Sequence, residues 1–431
     1  DVCSSDLRRL ITEGYHLFVL VNKVGCYLPP DYLTKNTVFH KDPPPVKVFL
    51  LIIITFRVYF LKKYRSGIIG LLRASLLFNG RTEKMYGEIT VQEAIRLPAA
   101  VFIDLRSPGE YGQGAIPGAI NVPLFDDQER EIIGLQYKKN KHHARLVGLN
   151  LVSPKLPAIV EKIYGLGYNR IPVVYCWRGG LRSKNVYNLL ETLGVPAYRL
   201  PGGYKAYRRF ILDRLLSYKL KKPLYVLNGL TGTGKTAVLR LLLAQGCPGI
   251  DLEALACHRG SFFGHIGFRE KRCQKDFDAL LWNHLEELQA APYLFLEGEG
   301  KRIGNVYLPT FLFQALQGGK HILLTASLEN RVERLLQEYT PSLPAENGEI
   351  KEALQSLQKY LGAKTVTHLL LLLKQANYQE LIRLLCEKYY DRLYSESKPE
   401  ETDFALTVDS SNPEQAAAEI KKFVRQEIAM F

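Results

Sequence analysis

The stretch Gly-Leu-Thr-Gly-Thr-Gly-Lys-Thr at positions 229–236 constrains the fold of this chain more than any other. It follows an apolar run at 223–228 and precedes a helical pattern at 237–245 with Val238, Leu241 and Leu242 facing inward. Glycines at these spacings let backbone amides surround a di- or triphosphate, which is the geometry of a phosphate-binding loop, or P-loop. The predicted phosphate-binding residues are Gly229, Thr231, Gly232, Gly234, Lys235, which adds positive charge, and Thr236, a candidate Mg²⁺ ligand.

Further strand patterns indicate that residues 222–431 form a parallel-sheet α/β domain around this loop. They lie at 249–251, 293–297, 321–325 and 404–408, and a last helix is predicted at 413–425. Acidic residues at the ends of such strands are candidates for a site beside the phosphates, which selects Asp251 and either Glu297 or Glu299.

Arginines and two unusual loops add further candidates in this domain. Arg331 and Arg334 are candidates for arginines that close over a phosphate, although the pattern favours a solvated helix face. The segments 251–264 and 297–309 mix glycine, charge and aromatic residues just after strands, where α/β proteins place ligand loops. They contain the possible site residues Arg259 and Arg302, the aromatic candidates Phe262, Phe263 and Tyr307, and His258, which we expect to be structural.

A second site is predicted between residues 86 and 213, where a cysteine follows an apolar strand. The strand covers 171–175, the sequence Cys-Trp-Arg-Gly-Gly-Leu-Arg runs from Cys176 to Arg182, and a helical pattern covers 183–193. A helix N-terminus presents unpaired amides and partial positive charge, and the two glycines let those amides converge. The sequence therefore predicts that Cys176 is a catalytic nucleophile in an anion loop made of Trp177, Arg178, Gly179, Gly180 and Arg182, which favours the thiolate.

The net charge of +14 is compatible with an anionic partner, but half of it lies in residues 1–84. Regular globular patterning begins only after Met85, so we predict that 1–84 is a non-native or disordered extension. The apolar run at 46–61 contains Lys47 and Arg57 and is shorter than the roughly 20 residues of a spanning helix, which leaves a membrane anchor as the less favoured alternative. The seven cysteines show neither disulfide nor zinc spacing, and no dedicated metal site is predicted.

The first domain resembles a rhodanese domain in its strings DLRSPGEY and IPGAINVP and in its strand–Cys–loop–Arg–helix unit. The resemblance implies a loop cysteine that carries a persulfide. Five residues separate Cys176 from Arg182, which gives a seven-residue loop instead of the usual six and resembles rhodanese-like dual-specificity phosphatases. Sulfur, selenium and phosphate chemistry therefore all remain open from this domain alone.

Together, the strings CWRGGLRS, GLTGTGKT, DLE-x3-CHRGS-x2-G and RIGNVYLP resemble the family of tRNA 2-selenouridine synthases over residues 86–431. The resemblance implies a rhodanese-like parallel-sheet domain followed by a P-loop NTPase-like parallel-sheet domain, in a cytoplasmic bacterial transferase. It implies that sulfur of wobble 2-thiouridine in tRNA is replaced by selenium from selenophosphate, through an S-geranyl intermediate made from geranyl diphosphate. It also implies that Cys176 carries selenium as a selenyl-sulfide and that no membrane is involved.

Three alternatives stay open at the level of sequence. One is a rhodanese-type sulfurtransferase fused to an NTPase, and another is a Cys-x5-Arg phosphatase joined to a kinase-like domain. The third is a non-catalytic tRNA-binding or regulatory protein. No bound cofactor is predicted beyond the substrates, with Mg²⁺ as a candidate ion, and the P-loop ligand is either geranyl diphosphate or a nucleotide.

Overall fold

The computed structural model describes residues 87–166, 169–268, 271–339, 348–396 and 404–429. The predicted extension 1–84 lies outside these residues. The described chain divides into two compact units, the first made of 87–112 and 118–206 and the second of 113–117 and 207–429. Each unit contains a five-stranded sheet, as the sequence predicted for two α/β domains.

The first unit contains a parallel sheet in the order β1-β5-β4-β2-β3. Its strands are β1 (Gly87–Glu88), β2 (Ala100–Asp104), β3 (Ile120–Asn121), β4 (Ile171–Tyr175) and β5 (Tyr198–Arg199). The central strand β4 is buried from its second residue onward, which is why its sequence is a continuous apolar run.

The helices of this unit cover both sides of a core in which β2, β4 and two helices supply most of the apolar side chains. They are α1 (Val91–Arg96), α2 (Pro108–Gly112), α3 (Asp127–Lys139), α4 (Lys141–Val152), a 3₁₀ turn (Ser153–Lys155), α5 (Leu156–Tyr164), α6 (Leu181–Thr192) and α7 (Gly203–Ser217), of which residues 207–217 belong to the second unit.

The second unit contains a parallel sheet in the order β12-β11-β6-β8-β7 and a separate antiparallel pair, β9 and β10. The strands are β6 (Leu224–Asn228), β7 (Gly249–Ile250), β8 (Leu294–Glu297), β9 (Arg302–Ile303), β10 (Val306–Tyr307), β11 (Lys320–Thr325) and β12 (Leu406–Asp409). Because β6 is central, the loop that follows it lies next to the carboxyl ends of both β8 and β11.

In the second unit, one group of helices packs around its own apolar core, which is separate from the core beside the sheet. The helices outside this group are α8 (Lys235–Ala244), α9 (Leu252–Ala256), α10 (Gln274–Glu287), α11 (Thr310–Gly318), α12 (Leu328–Tyr339), which also contributes Val332 and Leu335 to the core of the group, and, after the group, the last helix, Pro413–Ala429. The group, which we call the helical cap, consists of α13 (Gly348–Ser356), α14 (Gln358–Leu361), α15 (Ala363–Lys374), α16 (Tyr378–Leu385), a π-helical turn (Cys386–Tyr390) and α17 (Asp391–Glu396); the last helix is α18.

Two helices begin earlier than the apolar pattern predicted. Helix α6 begins at Leu181 instead of Ser183, and α8 begins at Lys235 instead of Ala237. In both cases a glycine is the N-cap, and the loop geometry sets the start of the helix before the first inward-facing residue appears. Among the described residues, no helix combines the length and the apolar character needed to span a bilayer.

Candidate functional site

Cys176 directly follows the central strand of the first unit, at the carboxyl edge of the sheet. Its side chain is buried, with 2% of its surface exposed, and its Sγ lies 3.3 Å from the hydroxyl oxygen of Ser183. The backbone is held from one side, since the amide of Tyr204 donates to the carbonyl of Cys176 at 2.9 Å and that of Lys205 donates to Trp177 at 2.9 Å. The thiol is therefore fixed at the N-terminal end of α6, as the sequence predicted for an anion loop.

The two loop glycines differ in what their backbone requires. Gly179 has a φ of +61°, and a Cβ atom there would lie 2.5 Å from the amide nitrogen of Gly202. Gly180 has a φ of −88° and nothing within 4 Å of the place where a Cβ would be. Only Gly179 therefore needs to be glycine for the loop to adopt this conformation.

The two loop arginines also differ, because Arg182 is ion-paired. Its guanidinium donates to both carboxylate oxygens of Glu110, at 2.6 and 3.2 Å, and Arg130 approaches the same carboxylate at 3.4 Å. Burial alone would raise the pKa of Glu110, but the hydrogen bond and charge of Arg182 outweigh burial and lower it. Arg178 is exposed, and no ion pair of its guanidinium occurs in the described part of the chain.

Trp177 lies over Arg106, an arginine that the sequence did not predict as a site residue. The Arg106 guanidinium carbon lies 5.8 Å from the centre of the Trp177 ring and 4.1 Å from that of Tyr204. Arg106 is itself fully buried and paired with Asp104 at 2.6 Å. Cation–π contacts of this kind orient the indole beside the loop.

In the second unit, residues 229–234 form the loop between β6 and α8, and Lys235 and Thr236 are the first two residues of α8. Gly229, Gly232 and Gly234 all have positive φ, and a Cβ at each would meet neighbouring atoms at 3.0 Å or less. The Lys235 ammonium group donates to the carbonyl of Gly229 at 2.9 Å, which folds the lysine back over the loop. Thr233 is buried, whereas Thr231 remains partly exposed.

The preference for a solvated face around Arg331 and Arg334 was wrong. Arg331 is 3% exposed; it donates to the carbonyl of Thr231 at 2.8 Å and forms a bidentate ion pair with Asp391. Arg334 donates to the carbonyl of Gly232 at 3.2 Å. Both side chains face the loop because α12 packs against it, a long-range contact that the periodicity of a single helix does not reveal.

The phosphate loop is also bound to the end of β12. The Ser410 hydroxyl group, which is fully buried, lies 2.7 Å from the carbonyl of Thr233 and 2.9 Å from that of Thr325. Arg334 donates to the carbonyl of Ser410 at 2.6 Å. Three distant segments thus hold the loop in one conformation.

Three carboxylates converge beside the loop; the sequence predicted either Glu297 or Glu299 and did not predict Glu253. Oxygen atoms of Glu253, Glu297 and Glu299 lie within 4.8 Å of one another, and the Thr236 hydroxyl group donates to Glu253 at 3.0 Å. Burial and the charge of Glu299 raise the pKa of Glu253 to about 8, while burial raises that of Glu299 to about 7. Burial and repulsion from Glu253 raise the pKa of Glu297 well above its ordinary value.

Glu253 lies two residues after Asp251, in the string Asp-Leu-Glu. Asp251 instead caps α9, accepting from the amide of Ala254 at 2.8 Å, and pairs with Arg240 at 2.8 Å. The first turn of α9 places Glu253 toward the loop, which a reading of strand ends alone does not predict.

The carboxylate cluster fits a divalent cation. Both oxygens of Glu297 are buried and lack a hydrogen-bond partner among the described residues. Such oxygens are costly unless a proton or a cation compensates them. Oxygen ligands of this kind suit Mg²⁺, and Thr236 opens the adjacent helix. The residues that would hold the ion are Glu253, Glu297 and Glu299, with Thr236 at the edge.

The two unusual segments meet at His258. A Cβ at Gly264 would lie 2.7 Å from the His258 ring, and one at Gly304 would lie 2.5 Å from it. Burial and the neighbouring His265 lower the pKa of His258, which keeps the ring neutral. The ring therefore packs between the segments, in agreement with the structural role expected for it.

Arg259 and Arg302 take different positions. Arg259 pairs with Glu338 at 2.5 Å and donates to the carbonyl of Ile266, so it joins its segment to α12. Arg302 is exposed and lies 5.6 Å over the ring of Tyr307, which is 53% exposed.

Comparison with known proteins gives the same two parts in the same order. Residues 90–210 match the rhodanese-like domain model, and residues 222–427 match the model described as the tRNA 2-selenouridine synthase AAA domain. A tRNA 2-selenouridine synthase of Cupriavidus pinatubonensis is 35% identical over 335 residues, which are 69% of this chain and 89% of that protein.

Relatives from other genera have similar sequence identity and coverage. The protein of the same name from Pseudomonas syringae pv. tomato is 35% identical over 72% of this chain and 93% of its own length. That of Hydrogenovibrio crunogenus is 34% identical over 70% and 90%, respectively. With two family models matched in order and relatives covered over most of their length, the chain belongs to the tRNA 2-selenouridine synthase family.

Proposed function

We propose that the chain replaces sulfur with selenium in the wobble 2-thiouridine of tRNA. The observation that carries this proposal is that a member of this family contains two separate loops of different chemistry, each followed by a helix N-terminus. One loop contains a buried thiol and the other a phosphate cradle beside three carboxylates. Two different anionic substrates, selenophosphate and geranyl diphosphate, account for both loops.

In the proposed selenium step, selenium of selenophosphate bonds to C2 of S-geranyl-2-thiouridine, geranylthiol leaves with the electrons of the C2–S bond, and water takes the phosphoryl group as phosphate. Cys176 is proposed as the residue that holds selenophosphate at its selenium during this transfer. Its loop ends at a helix N-terminus, so its amides favour an anion next to the sulfur. Arg182 is neutralised by Glu110 and serves to shape the loop. The exposed Arg178 is therefore the guanidinium available to the phosphoryl oxygens of selenophosphate.

The phosphate loop is proposed to bind the diphosphate of geranyl diphosphate. In the geranyl step the sulfur of 2-thiouridine attacks C1 of the geranyl chain, the C1–O bond breaks, and diphosphate leaves with the bonding electrons. The loop amides and Lys235 stabilise the charge that develops on the leaving group. A Mg²⁺ ion held by the carboxylate cluster would add positive charge at the same place.

Binding of tRNA is proposed to depend on the positive charge of the chain. Half of the formal net charge of +14 lies in residues 85–431, so phosphate contacts are favoured there and affinity should fall as salt rises. The exposed Tyr307, with Arg302 over its ring, offers a surface on which an unstacked base can lie.

The test is mass spectrometry of nucleosides from 2-thiouridine tRNA incubated with the full chain, selenophosphate and geranyl diphosphate. Wild-type protein should yield 2-selenouridine, with S-geranyl-2-thiouridine when selenophosphate is omitted. The variant Cys176→Ala should lose the selenium product and keep the geranyl product, whereas Lys235→Ala should lose geranylation first. Cys273→Ser and Lys364→Ala change a half-buried thiol and an exposed amine elsewhere and serve as controls.

Several outcomes would count against the proposal. Loss of both products in Cys176→Ala would contradict the division of labour between the two loops. Undiminished prenyl transfer in Lys235→Ala would place the diphosphate elsewhere. Turnover of a phosphate ester or of a persulfide at Cys176, without a selenium product, would favour the phosphatase or the sulfurtransferase alternative.

A further inference from the structure

An apolar cavity lies in the second unit between the phosphate loop and the helical cap. The cavity has a volume of about 60 Å³ and is partly open to solvent. Thr231 of the phosphate loop lines it together with Phe263, Leu335, Leu373 and Tyr378. The cavity and the phosphate loop therefore share a wall.

The cavity wall is fixed to the phosphate loop by direct bonds. Arg331 donates to the carbonyl of Thr231 and is ion-paired with Asp391, the first residue of α17. Leu335, one turn further along α12, is the side chain that a Cβ on Gly232 would meet at 3.0 Å. Because Thr231 and Leu335 both line the cavity, its apolar wall begins at the phosphate loop itself.

The lining indicates the chemistry of the occupant. It consists almost wholly of aliphatic and aromatic carbon, and the hydroxyl group of Tyr339 lies 3.3 Å from that of Ser261. A nucleoside would bury ring nitrogens and ribose hydroxyls here without partners, which is unfavourable. A branched hydrocarbon has no polar group that would lose a partner in such a cavity, and burial of each of its methylenes is favourable.

We infer that this cavity binds the hydrocarbon chain of a prenyl diphosphate whose diphosphate lies in the phosphate loop, and that the wall formed by α15 and α16 determines the chain length. The inference rests on the proposed function and deepens it, since it assigns residues to the part of the substrate that the phosphate loop does not contact. Leu373 and Tyr378 are the specificity-determining residues.

The test measures binding of four probes to the full chain by calorimetry: inorganic pyrophosphate and dimethylallyl, geranyl and farnesyl diphosphate. Leu373→Trp fills the cavity, and Tyr378→Ala, at the first residue of α16, enlarges it. Leu371→Trp is the matched control, because Leu371 is the same residue type on the same helix but is 49% exposed.

Leu373→Trp should weaken geranyl diphosphate at least about tenfold, which corresponds to ~1.4 kcal/mol, and should leave pyrophosphate unchanged. Tyr378→Ala should shift the ratio of farnesyl to geranyl affinity in favour of farnesyl by about tenfold or more, because the larger cavity admits additional methylenes. Leu371→Trp should match wild type for all four probes. If Leu373→Trp does not fold, as judged by its thermal transition, the chain-length shift in Tyr378→Ala decides the matter.

Equal affinity for geranyl diphosphate in all variants would overturn the inference. In a separate titration with ATP, a loss in Leu373→Trp confined to the affinity for ATP would overturn it too, since that would place a nucleotide base in the cavity. If wild type geranylates tRNA in that case, the proposed function stands without this cavity. If wild type geranylates no tRNA while the variants still shift prenyl selectivity, the proposed function fails and the cavity assignment stands.

Discussion

Replacing Gly179 with alanine tests the geometry of the cysteine loop directly. The backbone of Gly179 is left-handed, with a φ of +61°, which costs an alanine about 1–2 kcal/mol. Its Cβ would lie 2.5 Å from the Gly202 nitrogen and 2.8 Å from the Leu200 oxygen, and overpacking against such atoms adds ~1–3 kcal/mol. Together these terms predict a loss of roughly 2–5 kcal/mol in the free energy of unfolding.

Gly180→Ala is the matched control one residue away. Its backbone has a negative φ and nothing within 4 Å of the Cβ position, so only its N-cap role is affected. We expect a change of about 1 kcal/mol or less in the free energy of unfolding.

Thermal unfolding followed by calorimetry and by circular dichroism measures both variants. At about 3 °C for each kcal/mol, the transition of the first unit should fall by roughly 6–15 °C in Gly179→Ala and by about 3 °C or less in Gly180→Ala. Selenium transfer below the transition should fall in Gly179→Ala alone, while pyrophosphate binding stays unchanged in both. If the two variants unfold together and transfer selenium equally well, the account of the loop conformation is wrong.

Three further predictions concern the charged groups around the two loops. The folded-state pKa of Glu110 is lowered, so the ion pair of Glu110 with Arg182 stabilises the fold at pH values above the ordinary pKa of a glutamate. This stabilisation is lost as pH falls through the folded-state pKa. Glu110→Gln should therefore lower the thermal transition at neutral pH and make the transition temperature decline less steeply in acid. Arg334→Ala removes a donor to the Gly232 and Ser410 carbonyls and should weaken pyrophosphate binding about tenfold in calorimetry, where an unchanged affinity would contradict a role in shaping the loop. Burial holds the pKa of Glu297 well above its ordinary value, so folding at neutral pH costs the free energy of protonating this carboxyl group. Glu297→Gln removes that cost and should raise the thermal transition of the metal-free protein. It should also abolish any further rise caused by Mg²⁺, whereas a retained Mg²⁺ effect would place the ion elsewhere.

Much of the fold and of the candidate site could be predicted from local sequence motifs. The strand–loop–helix arrangement around Cys176 and around Lys235 follows from apolar runs, glycine spacing and helical periodicity, which are all properties of neighbouring residues. The resemblance to known families added the order of the two domains, and the fold class is confirmed.

The contacts that the sequence did not predict mostly join residues far apart in the chain. Glu110 reaches Arg182 from 72 residues away, and Arg331 reaches Thr231 from 100 residues away. Glu253 turns toward the loop because α9 begins at Leu252, after its cap Asp251, and only the folded chain fixes this boundary. Such contacts depend on how elements pack, and a single sequence contains no periodic signal for them.

The bond between Ser410 and Thr233 has a consequence for the order in which the protein is synthesised. These residues lie 177 positions apart, so a ribosome must complete β12 before the phosphate loop gains this partner. Until then the growing chain can form the strand β6 and the helix α8 but lacks part of the framework that holds the loop between them. We expect a chain that stops before residue 404 to bind pyrophosphate poorly even where the rest of its sheet has formed, which makes substrate binding a property of the finished polypeptide.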